Sequence, residues 1–182
     1  MRLGHYSFRF LLLAILLAPR SAPAADARAH FERAQALVRD GDFKGALEEY
    51  DAILNTAGDD GAVRHNRALI FLKTEEYDKA REEARMATDL DPKEGRYQVT
   101  LGVTWMKGDK PDLRKASTAL KTAVSILKKK RDYEGLAMAY FNIGVISQRR
   151  RNLEEARRFY EMALDNNPAN TNAREALGTL GG

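Results

Sequence analysis

The side chains able to do chemistry in this chain of 182 residues are few and scattered. It has three histidines, His5, His30 and His65, too few for a histidine-built metal centre. It has no cysteine, which excludes disulfides, thiolate metal sites, a cysteine nucleophile and lipid attachment at sulfur. Adjacent carboxylates occur at Glu48-Glu49, Glu75-Glu76 and Glu82-Glu83, but they fall on helices and turns, where solvated acids are the ordinary outcome. No nucleophile stands with a base and an orienting group. No glycine-rich phosphate loop follows a strand, and no His-Glu-x-x-His zinc signature occurs. The sequence therefore argues for a protein that is not an enzyme and uses no cofactor or metal. What remains is charge in two runs, Lys128-Lys129-Lys130-Arg131 and Arg149-Arg150-Arg151, and whatever surface the rest of the chain builds.

The amino terminus reads as an address. Arg2 and Arg9 precede nine apolar residues, Phe10 to Ala18, and Ala22 and Ala24 then form an A-x-A site. That is the layout of a secretory signal peptide over residues 1–24, cut after Ala24. A membrane-spanning helix needs about 20 apolar residues, so the run is too short for an anchor. The expected compartment is the periplasm or the cell exterior, with no transmembrane span in the mature chain. Cleavage would remove three of the 30 basic residues, leaving 27 against 26 acids, so the high pI is weak support for a polyanion partner. The remaining charge is uneven. Residues 26–96 hold 12 basic and 17 acidic groups, whereas residues 101–182 hold 15 and 9.

The elements that must position these groups follow from an internal repeat. Shifted by 34 residues, Ala34 falls on Ala68 and Gly102; Leu37 on Phe71 and Trp105; Ala46 on Ala80. The spacing stretches to 36 from Ala80 to Ala116 and to 40 from Ala116 to Ala156, and returns to 34 from Gly144 to Gly178. Two of the extra residues lie around Lys110-Pro111-Asp112 and six near Lys128 to Tyr133. Within each unit the apolar residues keep helical spacing in two runs: Phe31, Ala34, Leu37 and Val38, then Ala46, Leu47, Tyr50, Ile53 and Leu54. A small residue on each helix permits close antiparallel packing. Asp91-Pro92 and Asn167-Pro168 predict helix starts, with an N-cap followed by proline at the first helical position. Val99 to Trp105 is rich in β-branched residues, but its place in the repeat predicts a helix.

Two antiparallel helices in 34 residues, with these small and aromatic columns and Pro92 and Pro168 at the joins, resemble the tetratricopeptide repeat (TPR) family. The best matches are 61–94 and 137–170; units at 27–60 and 95–131 are more divergent, and residues 171–180 read as a capping helix. Arg33 and Arg67 stand where the family carries an aliphatic residue, which predicts looser packing in the first two units. The resemblance implies an all-α, right-handed solenoid of helical hairpins whose first helices line a concave side. Phe31, His65, Val99 and Phe141 would form one inward row; Gln35, Leu69, Val103 and Val145 a second; Val38, Leu72, Met106 and Gln148 a third. Most are apolar, and an apolar stripe of that length is expensive in water unless something covers it. The favoured occupant is an exported or envelope-associated protein or peptide partner with hydrophobic side chains; tight curvature or the chain's own C-terminal helix is the other way to bury the stripe.

Some members of the family grip a terminal carboxylate with Lys, Asn and Arg from neighbouring first helices. Only Asn66 is in place here, so that clamp is not expected. The two basic runs end helices, where cations oppose the dipole. They offer the alternative reading of a patch for a polyanion or a membrane surface. No aromatic residue is interleaved within them to stack bases, so no nucleic acid partner is expected. Leu177 and its neighbours leave self-association open.

Overall fold

A computed structural model describes residues 22–180, and among them there are nine helices and no strand. The expected leader lies almost wholly outside the described residues. The helices are α1 (Ala22–Asp40), α2 (Phe43–Ala57), α3 (Gly61–Lys73), α4 (Tyr77–Leu90), α5 (Gly95–Trp105), α6 (Leu113–Lys130), α7 (Tyr133–Arg149), α8 (Leu153–Asn166) and α9 (Thr171–Leu180). They fall into two compact units that divide after Gly58. In the first, α1 and α2 form a single hairpin. In the second, each helix from α3 to α9 packs on the next, and the first helices of successive hairpins also touch, α3 on α5 and α5 on α7. Within that second unit this is stacked-hairpin architecture, in which each repeat buries its apolar face on its neighbours.

The turn inside each hairpin is closed by the same bond. The backbone N–H groups of Asp42, Glu76, Asp112 and Asn152 donate to the carbonyls of Leu37, Phe71, Trp105 and Ser147 at 2.8–2.9 Å. The two-residue insertion at Lys110-Pro111 is therefore looped out of a turn that still closes on Trp105. Asp42, Asp112 and Asn152 then cap the second helix by accepting backbone N–H bonds. The turn needs one left-handed residue, supplied by Gly41 (φ 82), Glu75 (φ 64) and Arg151 (φ 60) at corresponding places. The six-residue insertion lengthens helices: α6 and α7 have 18 and 17 residues, against 14 for α4 and α8.

The small columns are the contact points of each hairpin. A Cβ added to Gly144 would stand 2.5 Å from the Tyr160 ring, and one on Gly102 would stand 2.7 Å from Leu120. Ala34, Ala46, Ala68 and Ala80 are completely buried, so the small columns of the first two hairpins stay in close contact despite Arg33 and Arg67. The stretch Val99–Trp105 is helical, and Thr104 turns its hydroxyl back to the Leu101 carbonyl at 2.7 Å. Tertiary packing overrides its β preference.

The proline starts are also corrected. Asp91 and Asn167 accept from Lys93 and Ala169 in short turns, and the helices begin four residues later, at Gly95 and Thr171, after caps at Glu94 and Asn170. There Glu94 accepts from Arg96 N–H and Asn170 from Ala173 N–H.

Candidate functional site

On the α1–α2 unit, Phe31 is half-buried edge-to-face against Tyr50, with ring centres 5.7 Å apart, and Gln35 is exposed. On the α3–α9 unit the three predicted rows separate by depth. Val99 and Met106 are 2% and 4% exposed and belong to the core shared with Leu136, Tyr140 and Ile143. They are core residues and not open groove residues, because α5 lies directly on α7 and their columns fill that contact. Phe141 is half-buried with its ring 5.7 Å from Tyr160. The His65 ring lies 5.0 Å from that of Tyr97, tilted by 32°, and its Nδ1 has no hydrogen-bond partner. Burial lowers its pKa to about 4, so the ring is neutral at physiological pH. What faces solvent is a narrower stripe: Leu69, 42% exposed, with Leu72, Val103 and Val145 partly covered along α3, α5 and α7. Asn66 spends its amide on the Ala62 carbonyl of its own helix at 2.8 Å.

The two basic runs differ in what they touch. Arg149 and Arg150 donate to the carbonyls of Met106 (2.8 Å) and Leu113 (3.1 Å), joining α7 to the preceding hairpin, and Arg151 is the left-handed turn residue. In the other run, Lys130 pairs with Glu94 at 2.8 Å and Arg131 is the left-handed C-cap of α6. Lys128 and Lys129 are exposed at the end of that helix. Lys129 and Lys130 share a shallow hollow of about 300 Å³ with Lys93 and Ile126.

A feature with no counterpart among the expected site residues lies where the two helices of each hairpin meet. The residues one and four before the small column, and three after the buried alanine of the second helix, come together in every repeat. In the first they are His30, Arg33 and Glu49: Glu49 sits 2.6 Å from His30 Nδ1 and accepts from Arg33 Nε at 3.0 Å. The hydrogen bond with His30 holds the Glu49 carboxyl below its usual range. In the second they are Arg64, Arg67 and Glu83, with Glu83 accepting at 3.2 Å from Arg64 and 2.8 Å from Arg67. The side chains of that trio are only 10–17% exposed. The arginines that depart from the family pattern are therefore paired across their hairpins. In the fourth repeat the same places hold Tyr140, Ile143 and Phe159, with the two rings stacked at 6.1 Å.

The third repeat has Gln98, Leu101 and Ala119 there, and the short alanine leaves a concavity of about 410 Å³. Trp105 forms part of its wall, with the Lys115 ammonium 4.3 Å and the Arg81 guanidinium 4.6 Å from the ring centre. The signal was present in the sequence as the 34-residue spacing of Arg33 with Arg67 and of Glu49 with Glu83. Pairing could only be read once the helices were placed side by side.

Among the described residues no three His, Asp or Glu side chains gather as a metal site, and no helix is long and apolar enough to cross a membrane.

No curated protein matches the chain. Solved structures do. The pilF protein of Pseudomonas aeruginosa is 16% identical with a TM-score of 0.73, covering 87% of this chain and 69% of its own. YrrB, described as a TPR protein with an unusual peptide-binding site, is 19% identical with a TM-score of 0.65, covering 82% and 73%. The first TPR of Spaghetti (RPAP3), solved with the HSP90 peptide SRMEEVD, is 22% identical with a TM-score of 0.55, covering 66% and 90%. These likenesses show the fold. Tetratricopeptide-repeat models match residues 11–62 and 31–95, and a further one matches 137–170, which together span more than half of the sequence. The chain belongs to the tetratricopeptide-repeat family.

Proposed function

We propose that this protein is an exported, non-catalytic scaffold that binds a protein or peptide through the first-helix surface of its repeats. The observation that carries the reading is the apolar stripe of Leu69, Leu72, Val103 and Val145, which crosses three successive first helices and includes a leucine 42% exposed. Solvent-facing apolar surface shared by several elements is characteristic of recognition sites. Structural relatives that bind peptides support the same use of the fold. The sequence of residues 1–24 supports export, to the periplasm or beyond the cell.

The test is capture from a cell-envelope extract by the protein lacking residues 1–24, beside a Leu69→Glu, Val103→Glu, Val145→Glu variant. The reading expects the variant to lose the captured protein while keeping its helical circular dichroism. Undiminished capture contradicts it. A second reading, binding of a polyanion or membrane surface, rests on Lys128 and Lys129, exposed at the end of α6, with Lys93 beside Lys129. It predicts that Lys128→Glu, Lys129→Glu abolishes capture instead. Export is checked by the amino terminus of the protein recovered from its native cell, expected at Ala25.

A further inference from the structure

The hairpin position that is filled in the second and fourth repeats is vacant in the third. Counting three residues from the buried alanines Ala80, Ala116 and Ala156, the chain places Glu83, Ala119 and Phe159. Glu83 is held by two arginines, and Phe159 lies on Tyr140. Ala119 ends at its methyl group, and the space is open to solvent; Leu101, Trp105 and Ala119 give it apolar lining, and Asp112, Arg114, Lys115 and Thr118 give it polar lining. Its volume is about 410 Å³.

The surroundings decide what fits. Leu101 stands where the fourth repeat has Ile143, so the apolar lining suits an aromatic ring as that repeat does. Arg114 and Lys115 are both exposed, Lys115 lying 4.0 Å from Asp112, whereas Arg81, on the tryptophan from α4, is paired with Asp78 and lies outside the lining. Asp112, whose carboxyl the N–H groups of Lys115 and Arg114 hold below the ordinary range, is one carboxylate in the lining against the two cations Arg114 and Lys115, so the lining keeps a net positive charge.

We propose that this concavity is a docking site for a protein segment carrying an aromatic side chain flanked by carboxylates: the ring occupies the place Phe159 holds in the fourth repeat, and the acids meet Arg114 and Lys115. The site is separate from the apolar stripe on the first helices, and neither depends on the other.

Trp105 is the chain's single tryptophan, so its fluorescence reports the site directly. The probe is the peptide acetyl-Glu-Phe-Glu-amide, titrated against the full chain. The expected result is a saturable change in emission. Acetyl-Glu-Ala-Glu-amide should bind at least about tenfold more weakly, for loss of a buried ring. Acetyl-Lys-Phe-Lys-amide should bind at least about fivefold more weakly, for reversed charge. Ala119→Phe fills the space from within and should abolish the response; Arg114→Glu, Lys115→Glu reverses the charge of the lining without touching the core and should weaken the acidic peptide about tenfold or more. Leu69→Glu, Val103→Glu, Val145→Glu should leave it unchanged. No saturable response to the first peptide, equal responses to the phenylalanine and alanine peptides, or undiminished binding with that charge reversed would overturn the proposal.

Discussion

The second and fourth hairpins share one backbone geometry and hold it by opposite means. Between α3 and α4, a carboxylate is locked between two guanidinium groups, Arg64 and Arg67 on Glu83, in a partly desolvated site. Between α7 and α8, the same three positions carry Tyr140, Ile143 and Phe159 and pack as hydrocarbon. The frame is set elsewhere, by the alanine and glycine columns that let the helices approach and by the turn bond to Phe71 or Ser147. The lesson is that the edge position is free to vary in chemistry once the close contact is fixed. The third hairpin shows the limit of that freedom, since with Ala119 the position is simply left open.

The contrast can be broken most sharply at Glu83. Glu83→Ala takes the carboxylate from between Arg64 and Arg67, leaving Arg64 its bond to the more exposed Asp59, and should cost about 3 kcal/mol, read from denaturant unfolding. A loss below about 1 kcal/mol would mean the trio is already solvated. His65 gives the next effect. Its folded pKa, lowered to about 4, lies below the unfolded value near 6.5, so the unfolded chain takes up the proton first as pH falls. The stability it contributes is fully present above about 6.5, is lost between there and about 4, and is flat below, amounting to about 3 kcal/mol at most. Unfolding curves at pH 7 and pH 5 should differ, and His65→Phe should remove that part of the difference. Phe159→Ala should cost about 2 kcal/mol, less than a fully buried ring because the side chain is half-covered, and unlike Glu83→Ala its cost should not change with salt. The smallest effect concerns the turn. Glu75 and Arg151 are strained in a left-handed conformation that Gly41 adopts freely, so Arg151→Gly should stabilise by about 1 kcal/mol, seen as a rise in Tm. A fall would show that the Arg151 side chain holds the turn.

Much of the architecture was legible in the sequence because the repeat writes itself in residues that have no substitute. Ala34, Ala68, Gly102 and Gly144 sit where a larger side chain would strike the partner helix, and their spacing announces it. The helix starts were misread at Pro92 and Pro168 because an Asx turn and an N-cap use the same residues; the geometry of Glu94 and Asn170 distinguishes them. The surface was less legible. Val99 and Met106 share their columns with residues that remain partly open, and only the contact of α5 with α7 decides that they are buried. Arg33 and Arg67 looked like defects because their partners lie 16 residues away, on the opposing helix.

The central claim is that the small columns specify the hairpin while the edge trio is interchangeable. It is tested most directly by transplanting the fourth repeat's trio into the second, Arg64→Tyr, Arg67→Ile and Glu83→Phe together, and following thermal unfolding in low and high salt. The account predicts a folded helical protein with a Tm equal to or above that of the parent, since apolar replacement of a buried ion trio is often neutral or stabilising, and a Tm less sensitive to salt. A variant that fails to fold, or that melts well below the parent in both salts, would contradict it.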